Sequence, residues 1–243
     1  MWSDGALIAA GALAAAFATG ATGTAFGLIA MAIWLHVMDP ARAVPLVVTC
    51  SILLNLTMVW KLRDNISTQR LAPFLVGALF GVPLGIAALR QLNPALIRDV
   101  VGLLLIGYSV LMLTRWRMPV LALPSASGRV LDASVGMLGG FMGGSTSLNG
   151  VFPTLWSGLR GWTKHQQRGM FQPYILLVHM YTLAWLGGVG GLSRHTGYDV
   201  LLCLPALAAG GFLGLRVFHH ASDEGFKKLI LTMFLLSGML LLL

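Results

Sequence analysis

Acidic side chains are scarce in this sequence. Asp and Glu number eight among 243 residues, and all of them (Asp4, Asp39, Asp64, Asp99, Asp132, Asp199, Asp223 and Glu224) fall at the ends of apolar segments or in loops. No carboxylate is therefore left for a mid-membrane proton relay of the usual kind. Charge of either sign is thin, at 10% of residues against the roughly 25% of soluble domains. Cysteine is limited to Cys50 and Cys203, both inside apolar runs, where small buried hydrophobes are expected rather than a disulfide or a metal pair. No HExxH, GxSxG or CxxC occurs, and His165, His219 and His220 sit in basic loops. A membrane-embedded enzyme would need a nucleophile with its base, or a metal cluster, so the reading is not an enzyme, with no metal and no cofactor. A repeated filter sequence is missing too, which disfavours a channel. The opening "MWSDGALIAAG" has no basic n-region, so no cleavable signal peptide is expected.

What is present is apolar. Hydrophobic residues make up 57% of the chain and the mean hydropathy is +0.82, values of an integral membrane protein. Uncharged runs cover residues 5–38, 44–60, 71–89, 100–114, 133–159, 169–193, 200–215 and 229–243. Several reach the roughly 20 residues of a spanning helix. Their length and scattered Gly and Pro indicate helices rather than the short alternating strands of a barrel. The net charge of +8 is spread through short loops, so it points to membrane topology and not to a nucleic-acid partner.

Two related halves are expected. At an offset of 123, Gly20 meets Gly143, Thr24 meets Ser147, Gly27 meets Gly150 and Thr49 meets Gln172; at 129, Gly81 meets Gly210 and Gly85 meets Gly214. The first repeat is 1–115 (hairpin 5–38, helices about 41–61, 70–90 and 95–114), the cytoplasmic linker 116–131, and the second repeat 132–243 (hairpin 133–159, helices about 165–190, 198–217 and 224–243). Residues 5–38 form 34 uncharged positions, too many for one span of about 20. The alternatives are one long span or two short helices bent at "ATGATGT" in the first half and "GGSTS" in the second. The positive-inside rule separates them. Hairpins put 12 Lys and Arg on one side and 4 on the other, whereas single spans give 9 and 7. A hairpin plus three spans crosses an odd number of times, so the second half is expected to be inverted and both termini non-cytoplasmic. The fold class is then an all-α polytopic membrane protein of two inverted repeats, a build common among secondary transporters.

The bends carry the candidate site. Gly permits close backbone approach, and Ser or Thr can cap a restarting helix, whose free N–H groups favour an anion. Ser145, Thr146 and Ser147 are expected to cap the second arm of hairpin two, and Thr22 and Thr24 that of hairpin one, with Gly144 and Gly23 allowing the bend and Asn149 adding a polar group. Nearby, Arg168, Gln172 and His179 share one face of a helix, and Thr49, Ser51 and Asn55 stand in the first-half equivalent. Packing of small residues is the competing explanation for the glycines.

These features resemble the sulfite-exporter TauE/SafE family of permeases. The resemblance rests on "TGATGTAFG" and "GGFMGGSTSLNGVFP", on "TCS" after the first hairpin, and on the two-half layout. It implies transport of a small sulfur-containing anion, sulfite or an organosulfonate, without a cofactor. The expected function is export through a midplane site between two hairpin tips in the cell (inner) membrane. Proton-coupled uptake of a similar anion, with His36 or His179 as the titrating group, is the alternative. Expected partners are the anionic substrate, membrane lipid and a possible second copy of the chain.

Overall fold

The structure, a computed structural model, describes residues 2–22, 25–62, 66–114, 121, 125–218 and 223–243. Among the described residues there are ten helices and no strand: α1 Trp2–Thr22, α2 Phe26–Trp34, α3 Pro40–Leu62, α4 Thr68–Gln91, α5 Pro94–Leu113, α6 Ser125–Thr146, α7 Val151–Leu159, α8 Lys164–Gly188, α9 Arg194–Phe218 and α10 Asp223–Leu242. Starts are set locally where polar residues are available. Asn93 accepts from the Ala95 N–H at 3.0 Å ahead of Pro94, and Thr163 and Gln166 form a reciprocal capping box at α8. Among the described residues three segments, Thr68–Gln91, Pro94–Leu113 and His195–Arg216, are long and apolar enough to cross a membrane. Large apolar side chains also point outward on them, including Phe80 at 66%, Leu103 at 60% and Leu201 at 62% exposure. Bare hydrocarbon of that extent suits lipid rather than water.

Pro83 sits inside α4 and cannot donate to the Leu79 carbonyl one turn back. The Tyr181 hydroxyl donates to that oxygen at 3.2 Å. The freed backbone acceptor is thus satisfied from α8, as a low-dielectric setting requires.

The helices gather into two compact units that do not follow the sequence halves. One comprises residues Met1–Cys50, Leu92–Trp116 and Gly191–Leu243, the other Ser51–Gln91 and Arg117–Gly190. In the first unit α2 turns back along α1, and the Trp34 indole N–H donates to the Ile8 carbonyl at 3.2 Å. Helix α1 also lies along α9, with Gly210 and Gly214 seated over the Leu13 and Phe17 carbonyls. A Cβ on Gly20 would meet Gly211 O at 2.8 Å and Leu215 N at 2.9 Å. In the second unit α7 turns back along α6, and α6 lies along α4, with Gly81 and Gly85 over the Met137 and Phe141 carbonyls. A Cβ on Gly144 would meet Val82 O at 2.5 Å and Ile86 N at 2.9 Å.

The same helix contact therefore occurs once in each unit. Gly20 and Gly144 are 124 positions apart, while their partner atoms on α9 and α4 belong to residues 129 apart. The 129 offset is the one read from the sequence; that for the opening helix moves from 123 to 124. The short helices α2 and α7 start 125 apart, so the second bend holds one extra residue. Under the offset of 124, Ser147 aligns with Gly23, and Asn55 aligns with His179.

Helix α6 begins at Ser125, inside the stretch expected to be linker. Asp132, seven positions into the helix, is not left bare. The Trp156 indole N–H donates to Asp132 at 2.6 Å and Arg160 lies 4.0 Å away.

Candidate functional site

The run "GGFMGGSTSLNG" divides by helix face. Gly136, Gly140 and Gly144, four positions apart, lie against the α4 backbone at Phe74, Ala78 and Val82. Gly139 and Gly143 face the other way. A Cβ on Gly143 would stand 3.0 Å from the Asn149 Cβ, and one on Gly139 would stand 2.9 Å from the Asn149 carbonyl and 2.5 Å from the Tyr174 hydroxyl. Packing therefore accounts for the glycines, and the glycines in turn bring the bend close to α6.

The hydroxyls of Ser145 and Thr146 do not cap α7. Ser145 and Thr146 belong to the last turn of α6 and donate to the Phe141 and Met142 carbonyls, each at 2.8 Å. Within a helix a Ser or Thr hydroxyl reaches the carbonyl one turn back more readily than a later N–H. Gly150 occupies the α7 N-cap and Ala25 that of α2, neither with a side-chain bond. What ends α6 is Ser147, at φ 60°. Its N–H bonds Gly143 O and the Leu148 N–H bonds Met142 O, both at 3.2 Å, an arrangement that usually employs glycine. A serine in this left-handed conformation carries a steric cost of roughly 1–2 kcal/mol, and such outliers collect at functional sites.

Helix α8 closes over the bend. Asn149 donates through Nδ2 to Ile175 O at 3.3 Å, and His179 Nε2 lies 3.4 Å from Ser147 O. Gln172, Ile175, His179 and Thr182 are all buried, and their spacing of three and four residues puts them on one helix face. Ser145, Thr146, Ser147 and Asn149 are likewise at most 4% exposed. No charged residue occurs from 133 to 159. The result is a buried, uncharged face of backbone dipoles, hydroxyls and one imidazole, which suits a small anion held by hydrogen bonds rather than by a buried cation.

The model of the family described as sulfite exporter TauE/SafE matches residues 7–241. The chain belongs to that family. No curated protein and no solved structure matches it. As a TauE/SafE chain it is a multi-pass membrane transporter of sulfite-type anions, and membership in a transporter family agrees with the non-enzyme reading.

Within this TauE/SafE chain the other expected site residues divide. Ser51 and Asn55 are buried together; Asn55 Nδ2 donates to Ser51 O at 2.9 Å and to Ser51 Oγ at 3.1 Å, while Asn55 Oδ1 has no partner. Thr49 is only half-buried and bonds Pro45 O at 2.8 Å. Thr22 ends α1, but its side chain and that of Arg168 lie outside the described residues, as do Gly23 and Thr24 entirely. Thr182 went unnoticed in the sequence. It is fully buried with Oγ1 unpartnered, and its position three residues after His179 was the available signal.

Proposed function

We propose that the protein exports sulfite or a small organosulfonate across the cytoplasmic membrane, and that the anion is seated at the second bend. The family match over residues 7–241 carries this reading. The buried, charge-free wall formed by residues 145–149, Gln172 and His179 supports it, with Gly144 permitting the close approach of α4. Thr22, Gly23, Thr24, Thr49, Ser51 and Asn55 supply the corresponding polar groups of the first half, and Arg168 attracts the anion from the cytoplasmic side. The two halves cross the membrane in opposite senses, with both termini outside the cytoplasm, because the 12 to 4 division of Lys and Arg follows from hairpins alone.

Outward movement needs no inward-moving coupling ion. An inside-negative potential favours export by about 2.3 kcal/mol per net negative charge per 100 mV. Efflux from proteoliposomes loaded in turn with sulfite, sulfate, taurine and sulfoacetate tests the proposal. Sulfite or a sulfonate should leave faster when the loaded side is made negative. Flux of none of these anions, or hydrolysis of one of them, contradicts it.

A further inference from the structure

His179 has the direction of its hydrogen bond fixed by its partner. The ring is 1% exposed, and Nε2 lies 3.4 Å from the Ser147 carbonyl oxygen. A carbonyl only accepts, so Nε2 carries the hydrogen. In the neutral ring Nδ1 is then a bare lone pair, and Nδ1 is buried without a partner. One turn further along the same face Thr182 is fully buried, and its Oγ1 has no partner either. Two orphaned polar atoms on one buried helix face, beside a strained bend, call for a ligand that completes them.

The nature of that ligand follows from the lone pair. An unprotonated oxyanion offers only acceptors, and two acceptors repel. One proton between them turns the repulsion into a charge-assisted hydrogen bond. We propose that the site takes up one proton together with each anion, with His179 Nδ1 as one of the two atoms that share it and the Thr182 hydroxyl donating to a second oxygen. This rests on the anion-transport reading of the bend. The balance is the same for either location of the proton: neutral His179, sulfite dianion and one proton give imidazolium with sulfite, or imidazole with hydrogensulfite. In both the bound group has a net charge of −1.

Lys164, His165 and Arg168 stand in the first two turns of α8, eleven or more positions before His179. The α4 stretch 71–89 and the α6–α7 stretch 133–159 contain no Asp, Glu, Lys, Arg or His. Asp132 and Arg160 neighbour each other at the end of the α6–α7 hairpin away from the bend. On α8 itself the Tyr174 hydroxyl donates to Gly136 O at 3.0 Å and that of Tyr181 to Leu79 O.

Calorimetric titration of the purified full chain with sulfite tests this. Mildly alkaline buffers of different ionisation enthalpy are used, in which free sulfite is the dianion. Binding should take up about one proton per anion, with affinity falling by up to about tenfold per pH unit as the pH rises. His179→Asn should bind more weakly and with proton uptake near zero. Sulfite binding to the wild type without proton uptake overturns the proposal, whether or not the variant folds, and so does unchanged uptake in His179→Asn. A wild type that binds neither sulfite nor any sulfonate at any pH overturns the transport reading itself, and this inference with it.

Discussion

Replacing Ser147 by glycine should raise stability and lower substrate affinity at once. The residue stands at φ 60°, where a side chain costs roughly 1–2 kcal/mol relative to the right-handed region and glycine costs almost nothing. Glycine also loosens the unfolded chain by about 0.4–1 kcal/mol, so the net gain is on the order of 0.5–1 kcal/mol. Binding moves the other way. Losing one hydrogen bond to a charged ligand costs about 1.5–3 kcal/mol, or roughly 10- to 150-fold in affinity. Ser147→Ala separates the two effects, since it loses the hydroxyl but keeps the strained φ. It should bind as weakly as Ser147→Gly without its gain in stability. Thermal unfolding and sulfite titration of monodisperse, purified protein read both quantities. Ser147→Gly that binds sulfite as tightly as the wild type would refute the role of the hydroxyl, and a clear loss of stability would refute the backbone reasoning.

Three further outcomes are expected. Gly144→Val should destabilise by about 1–3 kcal/mol, because its Cβ would meet the Val82 carbonyl at 2.5 Å and only backbone movement relieves the clash; Gly188→Ala, with nothing within 4 Å, should be neutral or slightly stabilising in the same unfolding assay. His36, in the loop after α2, is held below its ordinary value of 6.5 by burial and then by the Arg98 guanidinium, so its neutral form favours the fold above that value and the contribution is lost as pH falls through the lowered one. Arg98→Gln should move the His36 ring titration upward, as followed by NMR of labelled histidine; no shift, or a downward one, contradicts the assigned cause. A fluorescent reporter that folds only in the cytoplasm should stay dark when fused after Leu243, and a bright fusion would contradict the orientation drawn from the 12 to 4 division of Lys and Arg.

The break in the first opening segment was legible because length is a hard constraint, since 34 uncharged residues do not fit one span, and that in the second from its Gly- and Ser-rich run and the 12 to 4 charge division. The pairs Gly81 with Gly210 and Gly85 with Gly214 were legible as well, and the structure gives both pairs the same task against a neighbouring helix. Partner choice was not. That α4 packs on α6 and α1 on α9 joins segments far apart in the chain, and hydrophobic periodicity carries no record of which helix covers which. The caps expected of Ser145 and Thr146 were misjudged for a different reason. A Ser or Thr near a helix end can bond forward to an N–H or backward to a carbonyl, and the register that decides this depends on the single extra residue in the second bend. The alignment of Asn55 with His179, 124 positions apart, stayed hidden because an offset of 123 set Thr49 against Gln172 instead. Asp132 was read only as a carboxylate at a span end or in a loop, since its partners, Trp156 and Arg160, are brought to it only when α7 folds back.

The seat of the anion is open to direct observation with selenite, a heavier analogue of sulfite whose selenium scatters anomalously. Diffraction from crystals of the full chain soaked with selenite should place a selenium peak at the second bend, within hydrogen-bonding reach of Ser147 and of the His179 and Thr182 face of α8, and excess sulfite should abolish it. A sulfite-displaceable selenium peak elsewhere in the protein, with none at the bend, would contradict the assignment.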